Sequence, residues 1–286
     1  MERSQSVTPV IRSMLNFANA MIFKPYRYAI WIAILFSTSA GAGQPVRLRV
    51  LSYNIHHGEG VDGKLDLERI AGVIQSVNPD LVALQEVDDK AKRTGGIAQP
   101  TELARLTQMH VVFGANIELQ GGHYGNAVLS RFPISRHENH QLPNLDNGEQ
   151  RGVIETQIHV SSAIQPILLF ATHLDHRRDG RERSQSANAI NQLIEQRLDA
   201  PALLAGDLND VVDSETLTRL ETKWTCTNAT PLPTIPVGKP SRQIDFILYR
   251  PIDRWSVIET RVLDESVASD HRAVLAVLEL LPQSNE

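Results

Sequence analysis

The segments VRLRVLSYNI at 46–55, DLERIAGVIQSV at 66–77 and LVALQEV at 81–87 decide how this chain folds. The first alternates apolar and polar residues and is rich in β-formers, as a half-buried strand is; it runs into HHGEG, a turn-prone loop. The second sets Leu67, Ile70, Val73 and Ile74 at helical spacing behind Asp66, a residue suited to the helix N-cap, and Asn78-Pro79-Asp80 stops it. The third is a short, nearly continuous apolar run, the mark of a buried strand, and it delivers Glu86 at its end. A strand, a helix and a second strand fit within forty residues.

Working outward, the same alternation continues. TELARLTQM at 101–109 predicts a short helix, VVFGANIEL at 111–119 and YGNAVLSRF at 124–132 predict strands, and GVIETQIHV with IQPILLFATHL predicts a strand pair joined at SSA. The longest helix signal covers about 181–198, with Ala187, Ile190, Leu193 and Ile194 on one face. PALLAGDLND reads as a strand running into a loop, and QIDFILYR, WSVIETRVL and RAVLAVLEL supply the last three strands. The order predicts an α/β fold: a four-layer α/β/β/α sandwich of two packed mixed β-sheets with outer helices.

Composition is that of a globular protein: 286 residues, 42% hydrophobic and 21% charged, enough for a large core. One domain is expected over 43–286. The formal net charge of -5 offers no global attraction to a polyanion, so nucleic-acid binding would rest on local basic patches or on metal ions. The single cysteine, Cys226, permits neither an internal disulfide nor a Cys-rich zinc site. Residues 1–42 read as a targeting segment: Lys24 and Arg27, the apolar run AIWIAILF at 29–36, then the small residues STSAGAG. That run is short for a bilayer span. Export to the periplasm or medium, with no stable membrane insertion after removal of the segment, is the expectation, and an uncleaved anchor is its alternative. A monomer is expected.

Polar or ionisable residues stand at the ends of the apolar β runs: Asn54, Glu86, His173, Asp207 with Asn209, Asp245, and Asp270 with His271. Singly, an Asp or Asn after a strand is ordinarily a turn former, and His173 has an equally plain reading as a half-buried histidine. Together they form an oxygen-rich set with few soft ligands, suited to a hard cation such as Mg²⁺ or Mn²⁺.

The ordered motifs LSYNI (51–55), LQEVD (84–88), YGNAVLSRFPI (124–134), THLDH (172–176), GDLND (206–210), QIDFIL (243–248) and SDHRAV (269–274) resemble those of the endonuclease/exonuclease/phosphatase superfamily over roughly 47–280. The resemblance implies a deoxyribonuclease I-like sandwich and a divalent-metal-dependent hydrolase of phosphate esters. It implies that Glu86 binds the metal, with Asn54 and Asp270 holding it directly or through water. Asp207 is then a candidate base for the attacking water, Asn209 positions phosphate or nucleophile, and Asp245 pairs with His271, whose cation binds the developing phosphorane. His173 resembles the histidine that contacts phosphate or protonates the leaving oxygen. Tyr124 and Asn126 match a stretch lining the family's site.

Lys90, Lys92 and Arg93, on the loop 88–100, together with HRRDGRER at 176–183, are expected to form a cationic rim for a phosphate group; the plainer reading is solvated charge. Substrates consistent with the motifs are a small phosphate ester, a lipid head group or a nucleic acid. The segment LLAGDLN departs from the inositol-phosphatase pattern, and Gln243 with no basic excess departs from the abasic-site endonucleases. A phosphodiesterase acting on a modest-sized substrate is expected. Two other classes are weaker: a catalytically silent binding module on this fold, which would predict loss of Glu86, Asp207, Asp245 or His271, and a non-hydrolytic nucleic-acid binder, which would call for basic, aromatic surfaces where only 5% of residues are aromatic.

Overall fold

The computed structural model describes residues 44–161, 165–195, 197 and 199–283. The segment read as a targeting signal lies outside the described residues, and among these no helix is long and apolar enough to cross a membrane. The opening strand–helix–strand unit forms as expected: β1 (Val46–Asn54), α1 (Leu67–Ser76) and β2 (Leu81–Asp89). Asp66 caps α1, its Oδ1 accepting a hydrogen bond from the Arg69 amide at 2.8 Å. Parallel pairing needs a crossover of about a dozen residues or more, which the helical segment supplies, and β1 pairs parallel with β2. The chain continues through α2 (Gln99–Thr107), β3 (His110–Leu119), β4 (Gly122–Ser130), β5 (Ile134–Gln141) and β6 (Gly152–Ile158). A second unit of the same kind follows: β7 (Ile167–His173), α3 (Arg181–Glu195) and β8 (Ala202–Asp207), again a parallel pair. The described chain closes with α4 (Glu215–Leu220), β9 (Thr225–Cys226), β10 (Asp245–Arg250), β11 (Trp255–Val262) and β12 (Val274–Leu280).

The strands make two six-stranded sheets, ordered β11-β12-β1-β2-β4-β3 and β5-β6-β7-β8-β10-β9. Period-two alternation sends Leu48, Val50, Leu81, Ala83 and Val128 inward from the first sheet to meet Ile154, Leu169, Ala171, Leu203 and Ile247 from the second. The opposite face of the first sheet, Leu51, Val82, Leu84 and Leu129, packs on Ile70, Ile74 and Leu103 of α1 and α2. That of the second, Leu168, Phe170, Leu204 and Phe246, packs on Ile190 and Ile194 of α3 and on Leu217 and Leu220 of α4. Three apolar layers between four structural layers are the predicted sandwich. Each fully buried aliphatic side chain contributes roughly 1.5–3 kcal/mol to it.

β5, α4 and the two-residue β9 depart from the sequence reading. β5, ISRHENHQ, is mostly exposed and polar on both faces. As an edge strand it needs only the backbone ladder to β6, so it carries no alternating pattern, and its charges discourage pairing with another chain. The six-residue α4 is set by its Ser214 cap, whose hydroxyl accepts from the Leu217 amide.

Candidate active site

Both parallel units end in polar residues, and the register brings these ends together. Asn54 faces Gln85 across β1 and β2, while Asp207 stands in register between His173 on β7 and Asp245 on the antiparallel β10. Gly206, which precedes Asp207, is dictated by space: a Cβ there would lie 2.0 Å from the Thr172 carbonyl oxygen of β7. Between Leu84 and Val87 the pairing of β2 with β4 slips, and Glu86 takes a left-handed φ of 58°. Such a bulge re-aims a side chain, and this one turns Glu86 toward Asn54.

Asn54 joins the two sheets. Its Nδ2 donates to Glu86 Oε1 at 3.0 Å and to Asp207 Oδ2 at 3.1 Å, and its Oδ1 accepts from the His56 amide at 3.0 Å. From the turn before β12, the Ser269 hydroxyl donates to the Asn54 carbonyl at 2.7 Å and the ring of His271 reaches the second sheet. Its Nδ1 lies 3.0 Å from Asp245 Oδ2 and its Nε2 3.7 Å from Asp207 Oδ2. On the other flank, His173 Nε2 lies 3.5 Å from Asp207 Oδ2 and 2.9 Å from the Asn209 side-chain amide. The Asn209 main-chain amide donates to Asp207 Oδ1 at 2.9 Å. The structure thus brings together six predicted residues, Asn54, Glu86, His173, Asp207, Asn209 and His271, with Asp245 behind His271.

Crowding of buried charge sets the protonation states. Asp207 is pushed up to about 7, by burial first and then by Asp245, with His271 acting against both. Burial disfavours the His271 cation, but the charges of Asp245, Asp207 and Asp270 and the hydrogen bond to Asp245 prevail and raise it to about 10. His173 goes the other way: burial, then the neighbouring Arg151, His271 and His176, hold it well below the ordinary histidine value. Two imidazoles within reach of one carboxylate therefore differ in charge, one a cation and one neutral.

Sequence reading missed three participants. Arg151, at the entry to β6, is buried; its Nη1 lies 3.1 Å from His173 Nδ1 and its Nη2 3.0 Å from His176 Nδ1. A guanidinium only donates, so Nδ1 of His173 accepts from Arg151, while Nε2 faces the Asn209 side-chain amide and Asp207 Oδ2. His56 and His57, in the loop HHGEG, place ring nitrogens close to Glu86. The histidine doublet was the available signal for these two, but it reads as a turn.

The remaining predicted residues are placed differently. Arg93 forms a two-pronged ion pair with the fully buried Asp88, at 2.8 Å from both Nε and Nη2, and lies 5.4 Å from the centre of the Tyr124 ring. Both sit beside Glu86, whose charge acts on each of them. Asn126 is buried and donates to the Gly152 carbonyl at 3.1 Å, tying β4 to β6. Asp270 is exposed, with Oδ1 3.4 Å from Ser269 Oγ, and its charge bears on His271 and Tyr53. The predicted cationic rim at 176–183 is corrected for three of its four arginines: Arg177 pairs with Asp175 and Glu182, Arg181 with Asp179 and Asp146, and Arg183 with Asp210, while Arg178 is exposed and makes no ion pair among the described residues. Acidic residues interleaved at the start of α3 neutralise the paired arginines.

Carboxylates, imidazoles of opposite protonation and a bridging carboxamide gather at one edge of a two-sheet α/β sandwich. The Endonuclease/Exonuclease/phosphatase family model matches residues 51–271, and the chain belongs to that family. Among curated proteins, it is 30% identical over 177 residues to the uncharacterized protein YbhP of Escherichia coli, covering 58% of this chain and 68% of YbhP. It is 25% identical over 170 residues to the 5'-tyrosyl-DNA phosphodiesterase of Caenorhabditis elegans, covering 56% of this chain but 42% of that longer protein. Among solved structures, an endonuclease/exonuclease/phosphatase from Beutenbergia cavernae superposes with a TM-score of 0.68 at 26% identity, over 82% of this chain and 72% of that one. A mannosyl-6-phosphatase from Bacteroides thetaiotaomicron, at 19% identity and a TM-score of 0.64 over 81% and 99%, shares the fold.

Proposed function

We propose that this protein is a divalent-metal-dependent phosphodiesterase that cleaves a modest-sized substrate by in-line attack of water on phosphorus. The observation that carries the reading is Asp207, held between a neutral His173 and a cationic His271 in one cleft. Relatives named as a phosphodiesterase and a phosphatase support phosphoester hydrolysis. The -5 net charge and the pairing of Arg177, Arg181 and Arg183 with carboxylates favour a compact substrate over duplex DNA.

Asp207, raised to about 7, is poised to take a proton from water near neutral pH. The His173 ring, held through Nδ1 by Arg151, turns Nε2 toward Asn209 and Asp207, where a phosphoryl or leaving oxygen would meet it. His271 presents a fixed positive charge where negative charge develops on phosphorus, and Asp245 keeps it protonated. Asn209 holds Asp207 through its main-chain amide and borders the same space. Arg93, stiffened by Asp88 and stacked on Tyr124, supports binding of the substrate's charged periphery.

The donors around Glu86 fit a divalent ion: a carboxylate whose Oε1 is oriented by Asn54, with two imidazoles within ligand reach. Glu86 would hold Mg²⁺ or Mn²⁺, with Asn54 and Asp270 as outer partners. When bound, the ion supplies positive charge to phosphate oxygens.

Hydrolysis of bis-p-nitrophenyl phosphate and p-nitrophenyl phosphate with Mg²⁺, Mn²⁺ or EDTA tests the reading. Activity unaffected by chelation, or a Glu86→Gln or His271→Ala variant within about tenfold of the parent, would overturn it, since losses of about a hundredfold or more are expected. Export is part of the proposal and rests on the 29–36 apolar run; fractionation of producing cells with N-terminal sequencing of the product tests it.

A further inference from the structure

We propose that the divalent-ion site at Glu86 is completed by the imidazoles of His56 and His57, and so takes a transition ion such as Mn²⁺, Co²⁺ or Zn²⁺ in preference to Mg²⁺. The inference deepens the phosphodiesterase reading and rests on it for the use made of the ion, while the ligand assignment stands on four observations.

A ring nitrogen of His56, a ring nitrogen of His57 and a carboxylate oxygen of Glu86 all lie within 4.8 Å of one another. Ligands about 2.0–2.1 Å from a common ion stand roughly 3–4 Å apart, so small side-chain rotations suffice.

The tautomer of His56 suits a ligand. Its Nδ1 lies 3.0 Å from the Glu59 carbonyl oxygen, which can only accept. Nδ1 therefore carries the proton and Nε2 keeps its lone pair, the arrangement that orients metal-binding histidines. His57 Nδ1 is buried with no hydrogen-bond partner, and Nε2 is 3.5 Å from Glu59 Oε2.

The backbone at these residues is strained. His56, His57 and Glu86 have φ of 46°, 44° and 58°, a region where a residue other than glycine or asparagine costs roughly 1–2 kcal/mol. The two imidazoles meet edge to face with ring centres 4.5 Å apart, and convergence of three donors adds a further return for this cost.

The loop is also braced before any ion arrives. Gln99 Nε2 donates to the His57 carbonyl at 2.6 Å, and the amides of Gly58 and Glu59 donate to the carbonyls of Ile55 and His56 at 2.8 and 2.9 Å. Magnesium takes oxygen ligands and sheds water reluctantly, while imidazole suits the later divalent ions. Two nitrogen donors therefore bias the site away from Mg²⁺.

The test uses the full chain stripped with chelator and reloaded with one equivalent of Mn²⁺. Electron spin-echo envelope modulation should show imidazole nitrogen coupling to the ion in the unmutated protein, and the coupling should weaken in His56→Ala and vanish from one ring in His57→Ala. Calorimetric titration should show Mn²⁺ affinity falling at least about tenfold in each variant while Mg²⁺ affinity stays within about twofold. Absence of nitrogen coupling in the parent protein overturns the inference even where a variant fails to fold, as does equal loss of Mn²⁺ and Mg²⁺ affinity. Bis-p-nitrophenyl phosphate hydrolysis measured on the same samples separates the two readings. Chelator-sensitive hydrolysis without nitrogen coupling removes the imidazole ligands alone; nitrogen coupling without hydrolysis removes the phosphodiesterase alone.

Discussion

Asp245→Asn preserves shape and removes the charge 3.0 Å from His271 Nδ1. Burial alone would lower the imidazole's pKa; Asp245 first, then Asp207 and Asp270, reverse this and lift it from 6.5 to about 10. That displacement corresponds to on the order of 5 kcal/mol favouring the imidazolium in the folded protein. Because the folded-state value is the higher one, the stabilisation is fully present below about pH 6.5 and is lost as pH rises through about 10. In the variant the largest favourable cause is gone and burial remains, so the imidazole should become neutral near or below its ordinary range. Its cationic role at neutral pH then disappears. Nitrogen-detected NMR of the histidine rings should show His271 protonated at pH 8 in the parent and deprotonated there in the variant. The loss of stability between about pH 6.5 and 10, read by urea unfolding, should flatten, and diester hydrolysis at pH 7 should fall at least about a hundredfold. A variant whose His271 still titrates above pH 9 would refute the reasoning.

Gly206→Ala drives a Cβ to 2.0 Å from the Thr172 carbonyl oxygen between paired strands; a loss of about 3 kcal/mol or more is expected from thermal or urea unfolding. Asp88→Asn leaves the one-third-exposed Arg93 guanidinium without its buried counter-charge; unfolding should show roughly 1–2 kcal/mol of lost stability, and KM should rise more than kcat falls, since Arg93 would lose its fixed position beside Tyr124. The Cys226 thiol is pushed up to about 12, by burial and then by Glu221, so iodoacetamide at pH 8 should label the native protein at least about a hundredfold more slowly than the unfolded chain.

The sequence by itself determined the two parallel strand–helix–strand units, because period-two and helical apolar spacing are local and survive in a string of letters. The sandwich followed from the number of such runs. It also marked Glu86, His173, Asp207, Asp245 and His271, whose polarity contradicts the apolar strands they end. Tertiary structure alone decided the rest. β5 is held by a ladder to its neighbour and carries no pattern to read. Arg151 lies twenty-two positions from the histidine whose ring it holds, and the histidine doublet reads as a turn until the bulge at Glu86 swings a carboxylate onto it. Arg181 and Arg183 look like free charge until the fold supplies Asp146 and Asp210 as partners. Charge state is likewise a property of the assembled cleft. Identical imidazoles become cation and neutral ring according to whether buried carboxylates outweigh the cost of burial or a guanidinium adds to it, and register and burial, unlike composition, exist only once the chain has folded.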